Sequence, residues 1–127
     1  MGHLFKKHYT RDEARGLLPQ VREWFKQLSK ARERLDQLDK RLTGLLSGGN
    51  DVGGPLVNQW IEALAELNQV LGEFRQREIQ IKDFDRGLID FPAILGGREV
   101  FLCWEQDEED IEFWHDLHSG YAGRERL

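Results

Sequence analysis

The chain is 127 residues long, 39% hydrophobic and 32% charged, with a formal net charge of −5. That length reads as a single domain, 1–127, and the acidic balance argues against nucleic acid as a partner. No run of about 18 apolar residues and no basic-then-apolar leader is present, so neither a membrane span nor a signal peptide is expected. The lone cysteine, Cys103, excludes an internal disulfide and any zinc site that needs several thiolates, and a reducing, cytoplasmic setting is the default.

The charge is unevenly spread. Residues 1–46 carry a net +5 and residues 47–127 a net −10, so the two halves attract, within one chain or between chains.

His3–Tyr9 alternates loosely and reads as a short strand. Thr10-Arg11-Asp12-Glu13 is a capping box: the Thr10 hydroxyl can accept from the Glu13 amide while the Glu13 carboxylate reaches back to the Thr10 amide. Helix one is therefore expected over 10–46. Its apolar residues Leu17, Val21, Trp24, Leu28, Ala31, Leu35, Leu38, Leu42 and Leu45 alternate steps of four and three, a heptad seam. Pro19 interrupts it, because proline lacks an amide proton and its ring clashes with the carbonyl four residues back; a kink or break is expected near Leu18.

Four glycines within 47–54 mark a flexible loop, and Pro55 suits the first turn of helix two, expected over 55–78. Val57, Trp60, Leu64, Leu67, Leu71 and Phe74 repeat the heptad spacing, which implies a long antiparallel, coiled-coil-like helical hairpin. Phe25, Leu46, Ile61 and Val70 widen the apolar stripes beyond what two helices cover, and this surplus points to a homodimer.

From Ile79 the period falls to two. Ile79–Lys82, Leu88–Pro92 (stopped by the proline), Glu99–Trp104 and Ile111–His115 read as strands of a small antiparallel sheet at one end of the hairpin, filling 79–127 with a C-terminal segment. The class is thus α+β, mainly α. The acidic stretch Glu105–Asp110 lacks the glycine and ligand spacing of a calcium loop and reads as a solvated turn.

Three constellations could carry chemistry. His115 and His118, with Asp90 and, as a further donor, Cys103, offer ligands for zinc, nickel or iron, or an acid–base pair. If Trp104 pairs with Ile111, however, Cys103 and His115 fall on opposite faces, and only a one-residue shift in register unites them. The structural alternative leaves His115 bonded to a backbone carbonyl and Cys103 as a small core residue. Arg86 and Asp90, four apart, form either a loop-fixing pair, with Arg124 competing for the carboxylate, or an anion pocket lined by Arg86 and Arg124. Trp104 and Trp114 belong to an aromatic set that serves as core or as the floor of a pocket.

HYTRDEARGLLPQVR, IKDFDRGLIDFP, GREVFLCWE and WHDLHSGYAGRERL, in that order, resemble the bacterial family called domain of unknown function 2203. The resemblance covers nearly the whole chain and implies the identity of the domain and a bacterial origin. The family carries no assigned activity, and its motifs draw attention to the C-terminal half. The leading functional expectation is a non-enzymatic scaffold or interaction domain that homo-oligomerises through its hairpin, with no cofactor. The competing one is a small metal-dependent or acid–base enzyme, or a ligand-binding protein, with its site in the C-terminal sheet.

Overall fold

The computed structural model describes residues 2–49 and 54–127. Two helices, α1 (Arg11–Ser47) and α2 (Pro55–Gln76), accompany an antiparallel sheet of β1 (Gln80–Asp83), β2 (Leu88–Leu95), β3 (Arg98–Trp104), β4 (Phe113–Asp116) and β5 (Glu125–Arg126), ordered β1-β2-β3-β4-β5. The expected loop at 47–54 falls partly on residues 50–53, outside the described residues. The chain divides into two compact units, one of residues 1–22 and 74–127 and one of residues 23–73.

In the first unit, the capping box forms as expected. The Glu13 amide donates to Thr10 Oγ1 at 3.1 Å, and the Thr10 amide donates to Glu13 Oε1 at 3.0 Å. Helix α1 runs unbroken through Pro19, so of the kink or break expected near Leu18 the break does not occur. A proline inside a helix costs about 3 kcal/mol or more. Pro19 sits on the exposed side, however, while Leu18 and Val21 are fully buried, and burying such side chains returns about 1.5–3 kcal/mol each.

Helix α2 ends two residues earlier than expected, in a Schellman motif. The Ile79 amide donates to the Phe74 carbonyl and the Glu78 amide to that of Arg75, with Glu78 left-handed at φ 59° and the Phe74 and Ile79 side chains both buried. Glycine is usual at that position. Here the Glu78 carboxylate accepts the amides of Lys6 and Lys7, a contact glycine could not make.

The N-terminal segment His3–Tyr9 is irregular and forms no strand. Its amides find carboxylates instead: Leu4 and Phe5 donate to Glu99, which also pairs with His8 Nε2 at 2.7 Å. Burial alone would raise the Glu99 pKa, but His8 and those two amides hold it down at about 2.

Strand β2 continues through Pro92 to Leu95 rather than stopping there. In an antiparallel strand a residue's N–H and C=O point to the same side. The Pro92 carbonyl accepts the Tyr9 amide at 2.7 Å, so its proton-less nitrogen faces away from β3, beyond the end of the short β1. The hairpin between β2 and β3 closes through Gly96 and Gly97, at φ 60° and 78°, the left-handed pair of a two-residue turn.

The acidic turn after β3 is not simply solvated. Asp110 takes a two-pronged hydrogen bond from Arg15 (2.7 and 3.0 Å) and lies 3.7 Å from Arg11, so the basic start of α1 meets the acidic half of the chain as the charge split implies.

In the second unit, Trp24, Phe25, Leu28, Ala31 and Leu38 of α1 are buried, and burial fades toward Leu45 along the heptad seam. Within this unit the buried positions of α2 are Ala63 and Val70, one residue before the expected Leu64 and Leu71, which are half-buried; Phe74, the last residue of the expected seam, is buried in the first unit. The Trp60 indole donates to Asp39 at 2.7 Å, and Arg34 lies 3.9 Å from Glu62.

Candidate functional site

The register of the sheet decides which polar side chains meet. Strand β2 sets Asp90 opposite Cys103, and β4 pairs with β3 so that His115 faces Phe101 and Phe113 faces Cys103. This is one residue away from the pairing of Trp104 with Ile111. Because faces alternate with every residue, the shift moves His115 onto the face that carries Asp90 and Cys103. The turn that sets it is self-bonded: the Trp104 indole donates to the Glu108 carbonyl, the Glu105 amide to the Glu108 carboxylate and the Ile111 amide to Asp110.

Asp90, Cys103 and His115 are 1%, 1% and 3% exposed, one from each of three adjacent strands. A carboxylate oxygen, the Cys103 sulfur and a ring nitrogen all lie within 4.8 Å of one another. His115 Nδ1 donates to the Asp116 carbonyl at 2.7 Å, which commits that nitrogen and leaves Nε2 toward the other two groups. Nε2 stands 3.0 Å from both Asp90 oxygens. Burial opposes charging the imidazole, but hydrogen bonds to Asp90, Cys103 and the Asp116 carbonyl outweigh it and push the pKa up to about 10.

This arrangement differs from a nucleophile–base–acid triad. There the carboxylate binds one ring nitrogen and the nucleophile the other. Here Asp90 and Cys103 share the Nε2 side, so the three groups converge on a point instead of forming a relay.

Above them opens a pocket of about 260 Å³, bounded by Lys82, Leu88, Phe101, Leu117, His118 and Tyr121 together with the three polar residues and Gly120. His118 stands at this pocket but outside the close cluster; its amide donates to Asp116.

Arg86 and Arg124 do not reach Asp90. Arg86 pairs with Glu105 at 2.9 Å and stacks over Tyr121, and Arg124 pairs with Glu108 and stacks over Phe113 and Tyr121. The expected Arg86–Asp90 pair is thus replaced by Asp90–His115. Arg124 still approaches the site, with Nη1 3.7 Å from the Cys103 sulfur. Burial works against its charge, and Glu108 and Cys103 more than restore it, raising its pKa. Trp104 and Trp114 lie on the opposite face of the sheet, where Trp104 is fully buried, so neither floors the pocket.

The pocket residues Lys82, Leu88 and Leu117 were not singled out from sequence, since nothing local distinguishes them. A second cluster, His3, His8 and Glu99, also holds three potential ligands, but the Glu99 carboxylate is already taken by two amides and His8.

No helix among the described residues is long and apolar enough to cross a membrane. No curated protein and no solved structure matches the chain. The family model described as "Uncharacterized conserved protein (DUF2203)" matches residues 7–127, taking in both helices and every strand of the sheet, and the chain belongs to that family.

Proposed function

We propose that this protein binds a small molecule in the pocket over Asp90, Cys103 and His115. One observation carries the reading: three buried polar side chains from three strands meet at the floor of an open cavity. A sheet core gains little from such a group, because charges taken out of water repay their desolvation poorly, and apolar residues of similar volume are often as stable or more so. Polar clusters of this kind mark binding and catalytic sites. At about 30 Å³ per water molecule the pocket has the volume of roughly nine waters, room for the part of a small ligand that it encloses, about a dozen heavy atoms or fewer. Its polar head would face the cluster and its apolar part Leu88, Phe101 and Leu117.

The two helices support a second, compatible reading, an antiparallel coiled-coil-like hairpin that acts as a homodimerising arm. The Trp60–Asp39 and Arg34–Glu62 contacts favour the hairpin, and Leu46 and Ile61, 61% and 52% exposed, supply apolar surface for a second copy. A single buried thiol suits a reducing, cytoplasmic setting.

Amide NMR tests both readings. Screening a library of fragments below about a dozen heavy atoms should move the amides of Lys82, Leu88, Cys103 and His115–Tyr121 together. A screen in which no fragment perturbs that cluster overturns the pocket reading. Dilution should shift the amides of Leu46 and Ile61 if the helices associate, and concentration-independent spectra of monomer linewidth would remove the dimer.

A further inference from the structure

We propose that Asp90, Cys103 and His115 supply three ligands to a divalent metal ion of zinc type, with a fourth coordination position opening into the pocket. The inference rests on the pocket reading and specifies what its floor holds.

Charge is the first argument. A carboxylate, a thiolate and a neutral imidazole together carry two negative charges, which a divalent cation neutralises without further partners. The donor set is the second. Sulfur, nitrogen and oxygen in one site suit a borderline-soft ion such as zinc, whereas magnesium and calcium take oxygen alone.

Geometry is the third. Zinc bonds of about 2.0–2.2 Å to oxygen or nitrogen and about 2.3 Å to sulfur, in a tetrahedron, require ligand atoms about 3.2–3.8 Å apart. The Asp90 and His115 atoms are 3.0 Å apart and all three lie within 4.8 Å, so shifts of about an ångström complete the site.

The surroundings are the fourth. A metal-bound histidine ordinarily donates its other ring N–H to a carbonyl or carboxylate, which fixes the tautomer; His115 Nδ1 already does so to the Asp116 carbonyl. Arg124 Nη1, aimed at the Cys103 sulfur, supplies the outer hydrogen bond that a ligating thiolate takes. Three protein ligands and one position facing a cavity is the pattern of zinc sites that bind or activate a small molecule, whereas structural sites close with four protein ligands.

Cobalt(II) reads the site directly, because Cys103 is the only thiol in the chain. Protein prepared without a histidine tag and stripped with a chelator is titrated with cobalt, then with zinc. The expected result is a sulfur-to-cobalt charge-transfer band in the near ultraviolet that saturates at one equivalent and is bleached by zinc. The band should persist in His118→Ala and His8→Ala and be lost in Cys103→Ser with its far-ultraviolet dichroism intact. Should Cys103→Ser fail to fold, the wild-type titration decides alone. Absence of the band on folded wild-type protein overturns the metal site. If fragments still perturb the pocket amides in that case, the pocket reading stands without a metal; if they do not, both fall.

Discussion

Replacing His115 with alanine is expected to destabilise the metal-free protein by about 3–5 kcal/mol, the range found when one partner of a buried ion pair is removed. Both Asp90 oxygens take their hydrogen bond from His115 Nε2, and the carboxylate is only 1% exposed. Asp90→Ala should cost less, about 1–3 kcal/mol, the penalty of one unsatisfied buried polar group. The imidazole can discharge near neutral pH once its carboxylate is gone, and Nδ1 keeps the Asp116 carbonyl. Denaturant unfolding of the two variants checks the asymmetry. Equal small losses, below about 1 kcal/mol, would mean that the pair is not desolvated as its burial implies.

The same pair predicts an alkaline weakness. The His115 pKa is raised in the folded protein, to about 10, above the ordinary 6.5 of an unfolded chain. A group raised in this way contributes stability that is fully present below the unfolded value and is lost as pH climbs through the folded one. Stability of the metal-free protein should therefore fall between pH 6.5 and pH 10, by at most about 1.4 kcal/mol per pH unit from this group. Glu99 sets the opposite limb: lowered to about 2 from 4.5, it stabilises above pH 4.5 and loses that contribution as pH falls toward 2. Unfolding midpoints measured from pH 6 to 10 should decline in the wild type and flatten in Asp90→Asn. A flat wild-type profile would show that His115 is already neutral.

What could be read from the sequence divides along the range of the interaction. The capping box at Thr10, the two helices and the strand around Glu99–Trp104 follow from residues within a turn or a pleat of one another, and they form as expected. At Pro19 the break, one of the two outcomes expected, does not occur, because the local cost is set against the burial of Leu18 and Val21 beside it. Pro92 was misjudged because its tolerance depends on Tyr9, more than eighty residues away in sequence, and on where β1 ends. The site sat on the same boundary. Asp90, Cys103 and His115 could each be named from residue type, but their meeting depends on a register fixed by the internal hydrogen bonds of the Glu105–Asp110 turn. Arg86 and Arg124 are candidates for Asp90 by residue type, and in the fold they pair instead with Glu105 and Glu108 of that turn.

The central claim is that the three polar residues serve binding and do little to hold the sheet together. The stability of the double variant Asp90→Val with His115→Leu tests it most directly. Both replacements are apolar and close in volume, and valine suits a strand. Stability within about 1 kcal/mol of wild type or above it, with the cobalt band and the fragment shifts lost, is the predicted result. A loss as large as that of His115→Ala alone would place the cluster among the supports of the fold and contradict the claim.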